Sequence, residues 1–546
     1  MAIEMRRMPL VCLLVVLLAS GATIHAQIDA PPSENTDVAR LLRESAAFLG
    51  QATEARPFDL TLDDAIQRAL DRNLDIAVER INPLVQDLTL AERQASYRPT
   101  LGFNTDLASR KNPSSTQLDG GLVTQTDTSN LDLSLDWPVK WGGGNLNVGF
   151  DNNRQESTNA FSSFNPSFRS VFVSQYTQPL LRGFRTDNNR TQIEVSLLNR
   201  DISDIDLRQT ITNTVADVEN AYWELLYAVA SVDVQQQALD LAEQLVRDNR
   251  ARVEIGTLAP IDVVQSQSEA ASRRQALAQA RQTLRTAELS LKRLIVGGTE
   301  DELWDARLAP SDSPQLSRPP IDLEGAVRNA LAQRTDLSRA QRQQDINELN
   351  VRSLHNNTLP ALDLVGAFQL QGQGGDLLVR TGLGGDPAFT IPGGYSDAIR
   401  QIGNARFPVW NLGLQLSYPL GTSSQDAAVE RARLQVRQTE AQLRQLELTV
   451  ATEVTNAAVQ IESVEERVAA ATAARELAEQ QLDAEESKFE VGMSTNFFVV
   501  QAQRDLATAQ DSELRAILDY QQALVEFERL QQTSLSRAGI SIVGGG

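Results

Sequence analysis

Two rhythms of apolar and polar residues divide the chain. In the first, Leu101, Phe103 and Leu107 alternate with Gly102, Asn104 and Asp106, and Leu131, Leu133, Leu135 and Trp137 with Asp132, Ser134 and Asp136. Leu146, Val148 and Phe150 alternate likewise with Asn147 and Asp151. The same period of two returns at Leu362, Leu364, Phe368 and Leu370, set against Asp363, Gln369 and Gln371. It returns again at Trp410, Leu412, Leu414, Leu416 and Tyr418, set against Asn411, Gly413, Gln415 and Ser417. Such a period belongs to strands whose two faces meet unlike surroundings. In the second rhythm, stretches rich in Ala, Gln, Glu and Arg carry apolar residues on more than one helical stripe, as in Ala441, Leu443, Leu446, Leu448, Val450, Val454 and Ala457. A helix with neighbours on both sides needs that pattern.

Glycine and proline set the helix lengths. Between Phe184 and Gly297 only Gly256 and Pro260 occur, and between Gly421 and Gly539 only Gly492. Because Gly and Pro cost about 1 and about 3 kcal/mol inside a helix, these spans predict very long helices. The expected helices are Arg185–Ile255 and Thr422–Val491, with shorter returning helices Ile261–Ile295 and Phe497–Gln532. At about 1.5 Å per residue the long ones reach roughly 105 Å.

The two hairpins align without gaps at an offset of 236, which places Asn220 on Asn456, Leu241–Glu243 on Leu477–Glu479, Gly256 on Gly492 and Val263–Gln265 on Val499–Gln501. A second alignment, at 261, places Leu62, Ala65, Ala69, Leu70, Asp75, Pro99 and Leu101 on Leu323, Ala326, Ala330, Leu331, Asp336, Pro360 and Leu362. Each half therefore reads helix, strands, long helix, tip, returning helix. The expected plan is a leader at 27–59, a first repeat at 60–296, a linker at 297–321, a second repeat at 322–533 and a tail at 534–546. Strands fall at about 100–179 and 361–420. The first half is longer, and its added hairpin Leu131–Asp151, with a turn at Trp141–Gly144, is expected to raise four strands to six. Lengths also suggest that Ile261–Ile295 is continued end to end by Leu323–Leu359, and Phe497–Gln532 by Leu62–Tyr97.

Charge and compartment narrow the function. Arg6 and Arg7, the apolar run Leu10–Leu18 and small residues ending at Ala26 form a secretory signal, 1–26, with Ala22 as the competing cleavage point. The only cysteine, Cys12, lies in that run, which leaves no disulfide framework and no cysteine to acylate. A formal charge of −21 argues against nucleic acid, whose binding rests on Lys and Arg neutralising phosphates. Seventeen of the 28 aromatic residues lie within Tyr97–Phe184 or Leu359–Gly421, around the alternating segments. Alternation, interfacial aromatics and export without an apolar run of about 20 residues point to membrane strands. Four strands cannot close a barrel alone, so the chain is expected to oligomerise.

The segments LeuThrLeuAspAspAlaIleGlnArgAlaLeu at 60–70 and IleAspLeuGluGlyAlaValArgAsnAlaLeu at 321–331, with the tips at 255–267 and 491–503, resemble TolC-type outer-membrane efflux proteins. The resemblance covers nearly all of the chain after the signal. It implies a mainly α fold with β: a homotrimer whose outer-membrane β-barrel continues into a periplasmic α-helical barrel. It further implies a passive exit duct in the outer membrane of a Gram-negative bacterium, recruited by a periplasmic adaptor (membrane fusion) protein and an inner-membrane transporter. Gly256, Thr257, Leu258, Gly492, Met493 and Ser494 would be the adaptor-docking tips. The glycines serve either a close backbone approach or plain helix termination. The periplasmic aperture would be lined by Asp262, Phe498 and Gln501. Relatives often place a carboxylate six or nine residues after the second tip glycine; Phe498 and Gln501 stand there instead. Phe498 is therefore expected to form an apolar ring, the alternative being a core residue between helices.

Catalytic chemistry is absent from the pattern. After the signal, His355 is the one histidine, and no HisGluXXHis or nucleophile elbow occurs. GlyGlyGly at 142–144 lacks the Lys–Ser/Thr of a phosphate loop and reads as a hairpin turn. No enzyme activity, metal or cofactor is expected. The competing reading is a non-conducting periplasmic coiled-coil spacer or adaptor, and the cargo is open.

Overall fold

The computed structural model describes residues 57–113, 122–314, 321–382, 387–421 and 423–534. The signal 1–26, the leader to residue 56, residues 315–320 of the linker and the tail from 535 lie outside the described residues. The first half contains strand β1 (Pro57–Leu60), helices α1 (Leu62–Arg72), α2 (Leu74–Glu79) and α3 (Ile81–Ala95), and strands β2 (Thr100–Pro113), β3 (Val123–Pro138), β4 (Asn145–Ser157) and β5 (Phe164–Pro179). Helices α4 (Asn188–Glu254) and α5 (Pro260–Ile295) complete it, and the link to the second half carries helix α6 (Glu302–Asp305) and strand β6 (Arg307–Pro310). The second half runs α7 (Leu323–Gln333), α8 (Thr335–Asn357), β7 (Ala361–Arg380), β8 (Pro387–Ile391), α9 (Tyr395–Gly403), β9 (Pro408–Ser417), α10 (Ser424–Glu490) and α11 (Asn496–Gln531).

Two compact units result. The smaller, described at residues 57–59 and 300–309, pairs β1 with β6. The end of the leader and the middle of the linker are thus strands, where the sequence suggested only connecting chain. All else belongs to the larger unit.

In the larger unit both long helices have 67 residues and both returning helices 36, with every boundary repeating at the offset of 236. Their starts are fixed locally. Asp187 accepts the Arg190 amide, and Ser423 and Asp426 cap each other reciprocally. Helix α4 packs against α5, α11, α8 and the α1–α3 column, and α10 packs against α11, α7 and α8. Their buried stripes are Ile211, Val215, Val218, Tyr222 and Leu225 on α4, and Val450, Val454, Ile461, Val464 and Val468 on α10. Burial of these stripes is the main force ordering so long a hairpin.

The end-to-end stacking differs from the sequence expectation. Asn73, buried between α1 and α2, donates its amide to the Leu294 carbonyl at 3.0 Å, which joins the α1–α3 column to the end of α5. In the second half Ala326 and Ala330 of α7 share a core cluster with Leu530 at the end of α11. Each returning helix is therefore continued by the column of its own half. A helix end exposes carbonyls without partners, and a donor such as Asn73 decides which column meets it.

The strands form one antiparallel sheet in the order β2-β3-β4-β5-β7, with β9 on the lower and β8 on the upper part of β7. It is six strands across, and the added hairpin β3–β4 lies inside it. Register joins the alternating patterns into a single apolar face. Phe103 stands opposite Leu133, Leu133 opposite Phe150, Phe150 opposite Phe172 and Phe172 opposite Leu370, while Leu364 meets Leu414. No described element covers the β9 part of that face, where Leu412, Leu414 and Leu416 are exposed by 66–69 %. Higher up, α9 crosses the same face where glycine makes room: a Cβ on Gly372 would collide with the Ala398 carbonyl. Gln401 of α9 bonds both the amide and the carbonyl of Gln373, filling the gap in the ladder between β8 and β9.

The larger unit ends in two free sides. One carries the β2 edge and, on α2 and α3, an exposed apolar seam at heptad spacing: Leu74, Val78, Ile81, Val85 and Leu88. The other carries the β9 edge and exposed Leu434, Leu448, Val459 and Leu477 on α10. Among the described residues no helix is long and apolar enough to cross a membrane.

Candidate functional site: the hairpin tips

Both tips are built the same way. Gly256 and Gly492 adopt φ of +78° and +79°, and the next residue's amide reaches back five positions, Thr257 to the Arg252 carbonyl and Met493 to the Lys488 carbonyl. This is the glycine stop of a long helix. A Cβ at either glycine would meet nothing within 4 Å, so neither is demanded by packing inside the protomer. Thr257 also bonds the Arg252 carbonyl through its hydroxyl at 3.0 Å, and Ser494 bonds Glu485 at 2.8 Å. Lys488 and Ser494 together hold the Glu485 carboxyl below its usual range. Around the glycines Ile255, Ile261, Val491 and Met493 stand out into solvent. Leu258 does not: it folds inward onto a cluster of Leu245, Phe489, Val499 and Val500.

Phe498 and Gln501 share one exposed face of α11, and Gln501 bonds Asp505 one turn on at 2.8 Å. Phe497 and Phe498 meet edge to face at 5.6 Å between centroids, and both rings are more than half exposed. The face therefore reads phenylalanine, glutamine, carboxylate. Asp262, the position on α5 equivalent to Phe498, lies beside the seam between the two hairpins, where its backbone carbonyl accepts from Asn496 at 3.3 Å.

That seam holds the polar groups the sequence pattern did not single out. Asn249 is fully buried and donates to Asn496 at 2.7 Å and to Ser266 at 3.2 Å. The Arg252 guanidinium lies 4.4 Å from the Phe489 ring centroid and donates to the Phe489 carbonyl. Deeper in, Glu269 of α5 is almost fully buried and receives Arg273 of its own helix at 2.7 Å and Arg504 of α11 at 2.8 Å. Burial opposes the charge on Glu269, but the bonds from Arg504 and then Arg273 outweigh it and hold the carboxyl below its ordinary range. These links clasp the second hairpin to the first, each joining a residue of one to a residue of the other. No group of three His, Cys, Asp or Glu among the described residues is placed to hold a metal ion.

A family model described as "Outer membrane efflux protein" matches residues 145–297 and 326–531. The outer membrane efflux protein BepC of Brucella suis biovar 1 (strain 1330) is 24% identical over 344 residues, 63% of this chain and 67% of the relative. A crystal structure of a membrane protein from Pseudomonas aeruginosa superposes with a TM-score of 0.63 at 15% identity, covering 86% of this chain and 93% of that one. The CmeC outer membrane channel of Campylobacter jejuni superposes with a TM-score of 0.63 at 15% identity over 89% of this chain and 87% of that one.

Proposed function

Since the chain belongs to the outer membrane efflux protein family, we propose that it is the passive outer-membrane duct of an efflux or type I secretion system, a homotrimer without enzymatic activity. The observation that carries this reading is the pair of matching free sides. Sheet and helices end at the same two places, β2 with α3 and β9 with α10. Two unlike edges that complement each other close into a ring of copies by head-to-tail contact. The apolar sheet face then turns to outer-membrane lipid, and the helical columns line a tube across the periplasm. A spacer without a pore leaves that face unexplained. Reconstituted in planar bilayers, the purified protein should show discrete unitary conductance; a silent bilayer would reject the duct in favour of the spacer.

The tips are the docking surface for a periplasmic adaptor, which brings the inner-membrane transporter. Exposed Ile255, Val491 and Met493, beside Gly256, Thr257, Gly492 and Ser494, give it apolar contact around bare backbone. Gly256→Trp and Gly492→Trp should each abolish export while the trimer still assembles. The local cost is only about 1–2 kcal/mol for the left-handed backbone, since the added side chain meets open space. Normal export from both variants would remove the tips from the docking surface.

Phe498, Gln501 and Asp505 line the resting aperture, with the ring of three Phe498 side chains excluding water. A ring 54% exposed in the protomer is no core plug. Phe498→Ala should therefore raise resting conductance severalfold and change stability by less than about 0.5 kcal/mol, as for ordinary surface substitutions. A loss near 3–5 kcal/mol with conductance unchanged would mark a core residue instead.

A further inference from the structure

We propose that the assembled trimer closes an outer-membrane barrel of 18 strands, with a hydrated outlet roughly twice as wide as three four-stranded protomers would enclose. The proposal rests on the trimeric duct described above. What carries it is the placement of the β3–β4 hairpin. Both its strands run in register with their neighbours, β3 against β2 and β4 against β5, and they carry the same apolar face. Their opposite face, Asp132, Ser134, Asp136, Asn147 and Asp151, is polar and fits a water-filled lumen.

The hairpin is also fastened at the end of the sheet nearest the helices. Gln178 donates to the Gly142 carbonyl at 2.7 Å and Arg190 to the Lys140 carbonyl at 2.6 Å. Gly143 approaches the Gly183 carbonyl so closely that a Cβ would collide with it. A turn locked there belongs to the wall and cannot fold across the far mouth.

Perimeter gives an independent reason for six strands. Helices pack 8–10 Å apart, so four columns span an arc of about 36 Å per protomer. A strand tilted by about 40° takes up about 6 Å of perimeter, so six strands span about 37 Å and four only about 25 Å. Six strands therefore meet the helical tube without a step, and the free width inside is about 25 Å against about 14 Å for the smaller barrel. Size selection then falls to the periplasmic aperture, and the outlet admits bulky hydrated solutes.

The test uses the full trimer with a nitroxide on Leu133→Cys, an outward position on β3, since the only native cysteine is Cys12. Dipolar spectroscopy should give one distance near 40 Å between the three copies, where a 12-stranded barrel would give about 30 Å. A distance near 30 Å, or one below about 20 Å from a hairpin folded into the lumen, overturns the 18-stranded barrel and leaves the trimer standing. Absence of any dipolar coupling in the reconstituted protein overturns the trimer and the barrel together.

Discussion

Glu269→Ala should open the resting channel, with unitary conductance at neutral pH rising about tenfold. Among the described residues Glu269 is a carboxylate bonded by arginines of both hairpins, Arg273 on α5 and Arg504 on α11. Without it the two guanidiniums are left to repel each other, and the second hairpin loses a buried tie to the first. Breaking a buried pair from one side costs about 3–5 kcal/mol, and the figure here falls towards the lower end because Arg504 keeps half its surface in water. Arg504→Ala should open the channel less, since Glu269 would retain Arg273.

The same link fixes the pH response. A carboxyl held below its unfolded value contributes stability above that value, about 4.3, and loses it as pH falls through the folded one. Resting conductance should therefore stay flat from pH 8 to 5 and rise only in stronger acid. A Glu269→Ala channel as closed as the parent, judged in planar bilayers beside Arg504→Ala, would show that the clasp does not hold the aperture.

Val85→Asp combined with Leu88→Asp should convert the proposed trimer to monomers. Leu74, Val78, Ile81, Val85 and Leu88 present about half or more of their surface to solvent along one seam of the α2–α3 column. Covering that seam is worth on the order of 10 kcal/mol per interface at about 25 cal/mol per Å². Two carboxylates placed in it must either stay charged without partners or take up protons, and both options are costly. Native mass spectrometry of the detergent-extracted protein reads the outcome directly. A double variant that is still trimeric would place the contact between copies on another face.

Much of this architecture is legible in the sequence because it repeats. The near-absence of Gly and Pro, together with two constant offsets, brings the helix boundaries to within a few residues of Asn188–Glu254 and Ser424–Glu490. Period-two patterning marks β2, β3, β4, β7 and β9, and the hairpin turn at 142–144 carries positive φ at Gly142 and Gly143. The end-to-end stacking was not legible, since it depends on one amide, that of Asn73, meeting a carbonyl 221 residues away. The clasp was hidden for a related reason. It is built from positions the halves do not share: Phe489, Asn496 and Arg504 stand where the first half has Val253, Pro260 and Ser268. Contacts between two copies of a motif cannot be symmetric when each copy plays a different part. Departures from the repeat were the signal that pointed to them.

The open ladders of β2 and β9 set a constraint on biogenesis. A lone protomer offers two unpaired strand edges beside a bare apolar face, the combination that drives indiscriminate strand addition between chains. Such a protomer is expected to be prone to aggregation in water. On the trimeric reading, joining its sisters and entering the bilayer are expected to be coupled, since each step covers surface that the other leaves bare.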